Sequence, residues 1–410
     1  MLLNFLKNSK LYIFSLILIS IFIFDKEALS QTTVNIVFGN NNTLYEDPTG
    51  SSSNGAGQYL FTGKTVVNQI RRGLVRFELA EFIPQCAIVT NVSLKMHMSR
   101  TISSSTPVQL RKVLKSWGSS NSDPSGEEGF GTSADTGDAT WIHTYYTSEY
   151  WDRPGGDYSD SISAVKDVDA IGFYTWDATP RMISDVQEWV SYPNSNFGWL
   201  LLANESTYPT AKRFDSFNHD SVSYKPTLTV TYVNNSLSLY MQCFLEGFWN
   251  GTTMIQDTIK VTLRNPNSPY SIVDEAKRYV SDYGDENFCF YSAVSGTYYL
   301  DVNHRNTIET WSRNPVNISD STGYYYFTDS ATKAFGNNQI LKLGSYCFYS
   351  GDVNQDGIID GIDFLLVDNS AANFETGYVD PDVNGDEIVD GSDMSITSNN
   401  AENFVTSVTP

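Results

Sequence analysis

The sequence predicts a mainly β protein: two antiparallel β-sandwich domains followed by a small α-helical repeat. Three observations carry this. Apolar residues alternate with period two in several short segments, stretches rich in Gly, Ser, Asn and Asp separate those segments, and a twelve-residue acidic window near the C-terminus recurs thirty residues later.

In chain order, the first thirty residues carry Lys7 and Lys10, then the fourteen-residue apolar run LYIFSLILISIFIF, then Ala28-Leu29-Ser30. A charged start, a short apolar stretch and small residues at cleavage spacing read as a secretory signal over 1–30. The run falls below the ~18–20 apolar residues that span a bilayer. The expectation is a secreted protein, extracellular or at the cell surface, with no membrane span after cleavage. The remaining chain of about 380 residues is enough for two or three domains.

Residues 31–233 form the first expected sandwich. In VSLKMHM, Val92, Leu94, Met96 and Met98 point one way; in TLTVTYV, Leu228, Val230 and Tyr232 do; in GLVRFEL, Val75, Phe77 and Leu79 do. Helical spacing occurs around MISDVQEWV, where Met182, Ile183, Val186, Trp189 and Val190 make an apolar stripe, so one short helix should cap the sandwich. The ordered segments RRGLVRFELAEFIPQCAIVTNVSLKMHM, GDATWIHTYYTSEYWDRPGGDY, DVQEWVSYPNSNFGWLLLANE, AKRFDSFN and KPTLTVTY resemble a DNRLRE-type domain. That family is a secreted β-sandwich related to carbohydrate-binding modules, and the resemblance implies non-catalytic binding of polysaccharide or attachment to a cell surface.

Residues 234–348 form the second expected sandwich, with LSLYMQCFLEGFWN, DTIKVTLRN, ENFCFYSAVSGTYYLDVNHRN and YYYFTDS as strands. SIVDEAKRYVSDYG is open between a short helix and a strand. EGFWNG, LRNPNSPY and VNHRNTIETWS resemble a spacer domain that precedes dockerin-like repeats in secreted proteins.

Residues 349–410 hold the duplication. In DVNQDGIIDGID, oxygen-bearing side chains fall at positions 1, 3, 5, 9 and 12 (Asp352, Asn354, Asp356, Asp360, Asp363), with Gly357 at 6 and Ile358 at 7. This is the ligand spacing of an EF-hand calcium loop, in which position 7 offers its backbone carbonyl. DVNGDEIVDGSD repeats it with Asp382, Asn384, Asp386, Ile388, Asp390 and Asp393, and the likeness continues into NSAANF and NNAENF. Acidic surface turns would use the same residue types, but not twice at this spacing. The duplicated loop and helix, with Asp at position 12, resemble a type I dockerin, which implies two calcium ions and a cohesin-like partner. The sequence departs from that family at Glu387, where glycine is usual at position 6. It departs again at Gly361-Ile362 and Gly391-Ser392, where hydroxyl side chains that meet cohesin are common. The protein's own spacer domain is the alternative partner.

Cys86, Cys243, Cys289 and Cys347 are too few for a disulfide scaffold and include no CxxC pair. Secretion permits disulfides. Cys243 and Cys347, near the two ends of one expected domain, are the favoured pair, and unpaired buried thiols the alternative.

The formal net charge of −21 repels phosphate backbones and anionic lipid, so nucleic acid and membrane surfaces are poor partner candidates. None of the four histidines stands in HExxH spacing, and GxSxG and phosphate-loop motifs are absent. With 47 acidic residues, some carboxylate pair meets a glycosidase spacing by chance, so no catalytic residue is assigned. For glycan contact, Trp117, Trp141 and Trp151 lie in or beside the polar stretch 118–160, with Arg153 and Asp157 in WDRPGGD as polar neighbours. Surface stacking on sugar and anchoring of a loop account for these residues equally. The reading is a secreted, non-enzymatic, calcium-binding protein that recognises polysaccharide or a cell-surface glycan. A structural matrix protein, or a polysaccharide hydrolase or lyase component, is the alternative.

Overall fold

The computed structural model describes residues 31–234, 236–319 and 323–410. The expected signal segment, 1–30, lies outside the described residues. Within them the chain is mainly β, in antiparallel curled sheets, with three α-helices: α1 (Pro180–Ser191), α2 (Gly361–Ala372) and α3 (Gly391–Glu402). No helix among the described residues is long and apolar enough to cross a membrane.

In the N-terminal part, an eleven-stranded sheet curls on itself. Its corner is the short pairing of Gly63 with Arg71 and Lys64 with Ile70. At φ +99° Gly63 takes a conformation that disfavours a Cβ, and a Cβ there would stand 2.8 Å from the Thr210 carbonyl oxygen. The inward residues of the two halves meet in one core. Val92, Leu94, Met96 and Met98 of strand Ile88–Thr101 contribute to it, as do Leu228, Val230 and Tyr232, with Val75, Phe77 and Leu79 opposite. Period two placed each of these correctly.

The helix α1 forms where the apolar stripe expects it. Thr179 caps it by accepting a bond from the Met182 amide, and Pro180 opens it where no partner for a proline nitrogen is needed. Its buried residues Met182, Val186, Trp189 and Val190 join the same core.

Alternation misses one feature. Strand Ile70–Phe77 is buried on both faces: Val75 and Phe77 face the main core, while Leu74 faces a second one with Leu44, Val113, Trp117, Trp151 and Leu200. The segment that sequence reads as an exposed loop region therefore covers the outer face of this half-sheet. Consecutive apolar residues in Trp199–Leu202 are the trace of double-sided burial.

In the second part, Leu237–Gln242, Thr258–Arg264, Ile272–Tyr279, Asp285–Phe290 and Gly296–Asn303 are strands around a core that includes Met241, Leu263, Phe288, Phe290 and Phe348. SIVDEAKRY resolves as strand, paired with Thr258–Arg264.

The cysteines correct the expected pairing. Cys86 bonds to Cys289, joining the first part to the second with Cα atoms 5.4 Å apart, while Cys243 and Cys347 are buried free thiols. The physical reason is placement. Cys86 sits where the first unit abuts the edge strand Asp285–Phe290, and beside it Gln85 donates to Glu286 at 3.2 Å. Cys243 and Cys347 lie near each other at neighbouring parallel strands, but in a core where burial pushes both thiols up, Cys347 to about 12.

Candidate metal centre

Each C-terminal loop runs directly into a helix, and the same residues build both. Asp360 caps α2 by accepting from the Ile362 amide, and the α2 residue Asp363 reaches back to accept from the Asp360 amide. Asp390 and Asp393 do the same for α3. These reciprocal bonds satisfy amides that a helix start leaves open, and a carboxylate there is favoured by the helix dipole. Positions 9 and 12 of the spacing thus also serve as helix caps, which the ligand pattern alone did not reveal.

The position-12 carboxylates point back into their loops. Asp363 Oδ1 accepts from the Val353 and Asn354 amides at 2.9 and 3.1 Å, and Asp393 Oδ1 from Val383 and Asn384 at 2.7 and 2.9 Å. From the other end, Asp352 accepts from the Asp356 and Gly357 amides, and Asp382 from Gly385 and Glu387. Asn354 and Asn384 accept from the amides of Asp356 and Asp386, whose carboxylates accept from Ile358 and Ile388. In each copy the side chains at positions 1, 3, 5 and 12 therefore bond to amides of their own loop.

The position-7 residues are placed differently from their neighbours. The two loops are tied to other segments through Gly357 and Ile359, which bond to Ser407 and Val405, and through Glu387 and Val389, which bond to Gly377 and Glu375. Among the described residues no hydrogen bond ends on the Ile358 or Ile388 carbonyl.

Charge is the unusual quantity. Asp352, Asp363, Asp382 and Asp393 are each no more than 2% exposed, yet Asp382 alone has a cationic neighbour, Arg305 at 3.5 Å. Burying carboxylates without counter-charge is expensive. Burial, with the Asp363 carboxylate adding to it, pushes Asp352 up to about 7. Burial likewise raises Asp382 and Asp393, against the loop amides that favour their charged forms. Among the described residues, no three Asp, Glu, His or Cys side chains close into a metal cluster, because the loop carboxylates are turned onto loop amides and Asp356 accepts from Asn354 at 2.9 Å. The donor set fits a hard oxygen-seeking cation: buried carboxylates, side-chain amide oxygens and one uncommitted carbonyl per loop.

The loop-helix units rest on the second part through a polar network that sequence reasoning missed. Arg305 donates to Asp257 at 3.0 Å and to the Val379 carbonyl, and its guanidinium lies 4.5 Å from the Tyr378 ring centre. Tyr378 donates to Asp257 at 2.6 Å, Asn306 to the Asp382 carbonyl at 2.7 Å, and Asn400 to Glu246 at 2.6 Å. His304 is buried against Asp257 at 3.0 Å, and burial pushes its pKa down. Burial alone would raise Asp257, but bonds from His304, Tyr378 and the Thr258 amide hold it well below the usual carboxylate range.

The expected sugar contacts are not brought together. Trp117 and Trp151 are buried and donate to the Phe197 and Thr140 carbonyls, so their rings offer no stacking surface. Their polar stretch packs down on the half-sheet instead of projecting from it. Trp141 is half-buried beneath Arg72, which is paired with Glu205 at 2.8 Å. Asp157 accepts from the Asp152 and Arg153 amides and braces the turn, with the Arg153 side chain 3.8 Å away.

The chain matches no protein-family model and none of the curated proteins. Among solved structures it is similar to two mutant forms of a type II cohesin–X–dockerin complex from Acetivibrio cellulolyticus. A C-terminal interface mutant is 13% identical over 42% of this chain and 99% of that one, with a TM-score of 0.26. An N-terminal interface mutant is 14% identical over 41% and 97%, with a TM-score of 0.25. At these scores neither likeness carries an argument.

Proposed function

We propose that this is a secreted, non-catalytic protein that binds polysaccharide or a cell-surface glycan through its N-terminal β domain and folds its C-terminal dockerin-like repeat around two calcium ions. The observation that supports the calcium reading most directly is the set of buried carboxylates in the acidic loops, three of them without a cationic side chain, repeated in two copies of one loop. Asp352, Asn354, Asp356, the Ile358 carbonyl, Asp360 and Asp363 would hold one ion. Asp382, Asn384, Asp386, the Ile388 carbonyl, Asp390 and Asp393 would hold the other. The ion supplies the missing counter-charge, so its binding energy is also folding energy. At a free concentration one hundred times the dissociation constant it adds about 2.7 kcal/mol.

For the repeat's partner, the contacts from Arg305, Asn306 and Glu246 favour the protein's own second part on one side. The α2 face carrying exposed Ile362 and Leu365 is left for another protein module, and the equivalent α3 positions are Ser392 and Ser395. Thermal unfolding of the full chain with calcium and then with excess chelator tests the reading. A transition that drops in temperature on chelation and recovers with added calcium is expected. An unchanged trace defeats it.

A further inference from the structure

On the outer face of the curled sheet, three neighbouring strands present Phe61, Arg213 and Arg100 in one cross-strand row. Two like charges directly opposite each other destabilise a sheet unless an anion joins them. Here Glu127 does so: one of its oxygens accepts from both guanidiniums, each at 2.5 Å. Beside the row opens a cavity of about 350 Å³, walled by Phe61, Ile102, Phe130 and Ala211 and rimmed by this Arg–Glu–Arg triad. Its size and its few polar groups on an apolar wall match small-ligand sites.

Phe130 is the least protein-like member of that wall, since its ring is 78% exposed. It is nevertheless held on an anchored turn. The preceding Glu128 is buried, accepts from the Gln58 and Tyr59 amides at 2.9 Å, and its carbonyl accepts from Tyr45 at 2.8 Å. Arg71, itself buried, donates to the Gly129 carbonyl at 3.2 Å. With the backbone before Phe130 held by buried bonds, the ordering cost of that turn is met by folding and not by binding.

We propose that this cavity is the sugar subsite of the N-terminal domain and that its ligand is an uncharged polysaccharide, an inference that rests on the glycan-binding reading. One pyranose ring lies with its C–H face on Phe130, and its hydroxyls bond to Arg100, Arg213 and Glu127, whose planar groups match vicinal hydroxyl pairs. An uncharged ligand is favoured because Glu127 already occupies both guanidiniums, offsetting one of their two charges. A uronate would have to displace it, and the net charge of −21 opposes a polyanion.

The test is affinity electrophoresis of the full chain, with calcium, through gels containing neutral glucan, mannan, galactan or xylan, and through a polyuronate gel. A neutral polymer should retard the wild type, and Phe130→Ala and Arg100→Ala, both at exposed side chains, should each weaken retardation by about tenfold or more without lowering the melting temperature. Retardation of wild type and both variants alike would overturn the subsite and leave the glycan reading standing. Retardation by polyuronate alone would overturn the uncharged ligand. No retardation in any gel would overturn both the subsite and the glycan reading.

Discussion

The two acidic loops share a spacing and a hydrogen-bond scheme but place their glycines differently, and the difference shows what each loop packs against. In the first, positions 4 and 6 are Gln355 (φ +57°) and Gly357 (φ +84°); in the second, Gly385 (φ +77°) and Glu387 (φ +64°). Both copies therefore need left-handed backbone at both positions, and each spends one glycine. A Cβ on Gly357 would stand 2.9 Å from Ser407 Oγ, and one on Gly385 would stand 3.0 Å from the Phe248 ring. Where Ser407 crosses the first loop, Gly377 crosses the second, through the same amide-to-carbonyl bond of 2.8 Å. Glu387 is thus no defect: in each loop the glycine sits where a neighbour approaches, Ser407 in the first and Phe248 in the second.

The loops also differ in counter-charge. Asp382 faces Arg305, which at once holds Asp257 and the carbonyl of Val379, whereas Asp352 has only amides and other carboxylates. The second loop is tied to the body of the protein through an ion pair, and the first would depend more heavily on the proposed cation.

The largest effect expected from this asymmetry is at Arg305. Replacing it with Met leaves Asp257 and Asp382 buried without their shared cation, a loss of about 3–5 kcal/mol by analogy with broken buried pairs. Urea unfolding should show that loss, and hydrogen exchange should rise first in 349–410. An unchanged midpoint would mean the network is not structural.

Next is pH. Asp352 has a folded pKa raised to about 7, above the unfolded value of about 3.9, so the calcium-free fold holds its proton more tightly than the unfolded chain does. Its contribution to stability is therefore full in acid below the unfolded value and declines as pH rises toward 7. Calcium, which needs the carboxylate, should gain affinity over the same interval. Chelator-treated protein that becomes more stable from pH 4 to pH 7 would contradict the assignment.

Gly357→Ala comes third, at about 1–2 kcal/mol, for a Cβ in left-handed backbone and its contact with Ser407. Adding Ser407→Gly should recover the contact part but not the backbone part, and a double-mutant cycle reads the coupling. The smallest effect is Glu387→Gly, expected to stabilise the second loop by at most about 1 kcal/mol, because glycine relieves positive φ but loses more entropy on folding.

These particulars also show what was legible beforehand. Period two fixed the inward face of Ile88–Thr101 and Thr227–Val233 because one face of each is the core. It says nothing of Trp117 and Trp151, for which loop anchoring and sugar stacking are equal readings: their burial comes from a loop folding over the far side of a sheet, a tertiary event that leaves only a weak trace in the apolar run WLLL. The spacing of the acidic loops located both loop-helix units. Arg305 and Asp257 left no local signal, since each acts through residues more than forty positions away. The pairing of Cys86 with Cys289 depends on how two units abut, which spacing along the chain does not encode.

The most direct test of the central claim is isothermal titration of the chelator-stripped full chain with calcium, repeated on Asp363→Ala and Asp393→Ala. The account predicts one ion per loop in the wild type, and in each variant the loss of binding at its own loop. Absence of saturable calcium binding by the folded wild type would contradict it.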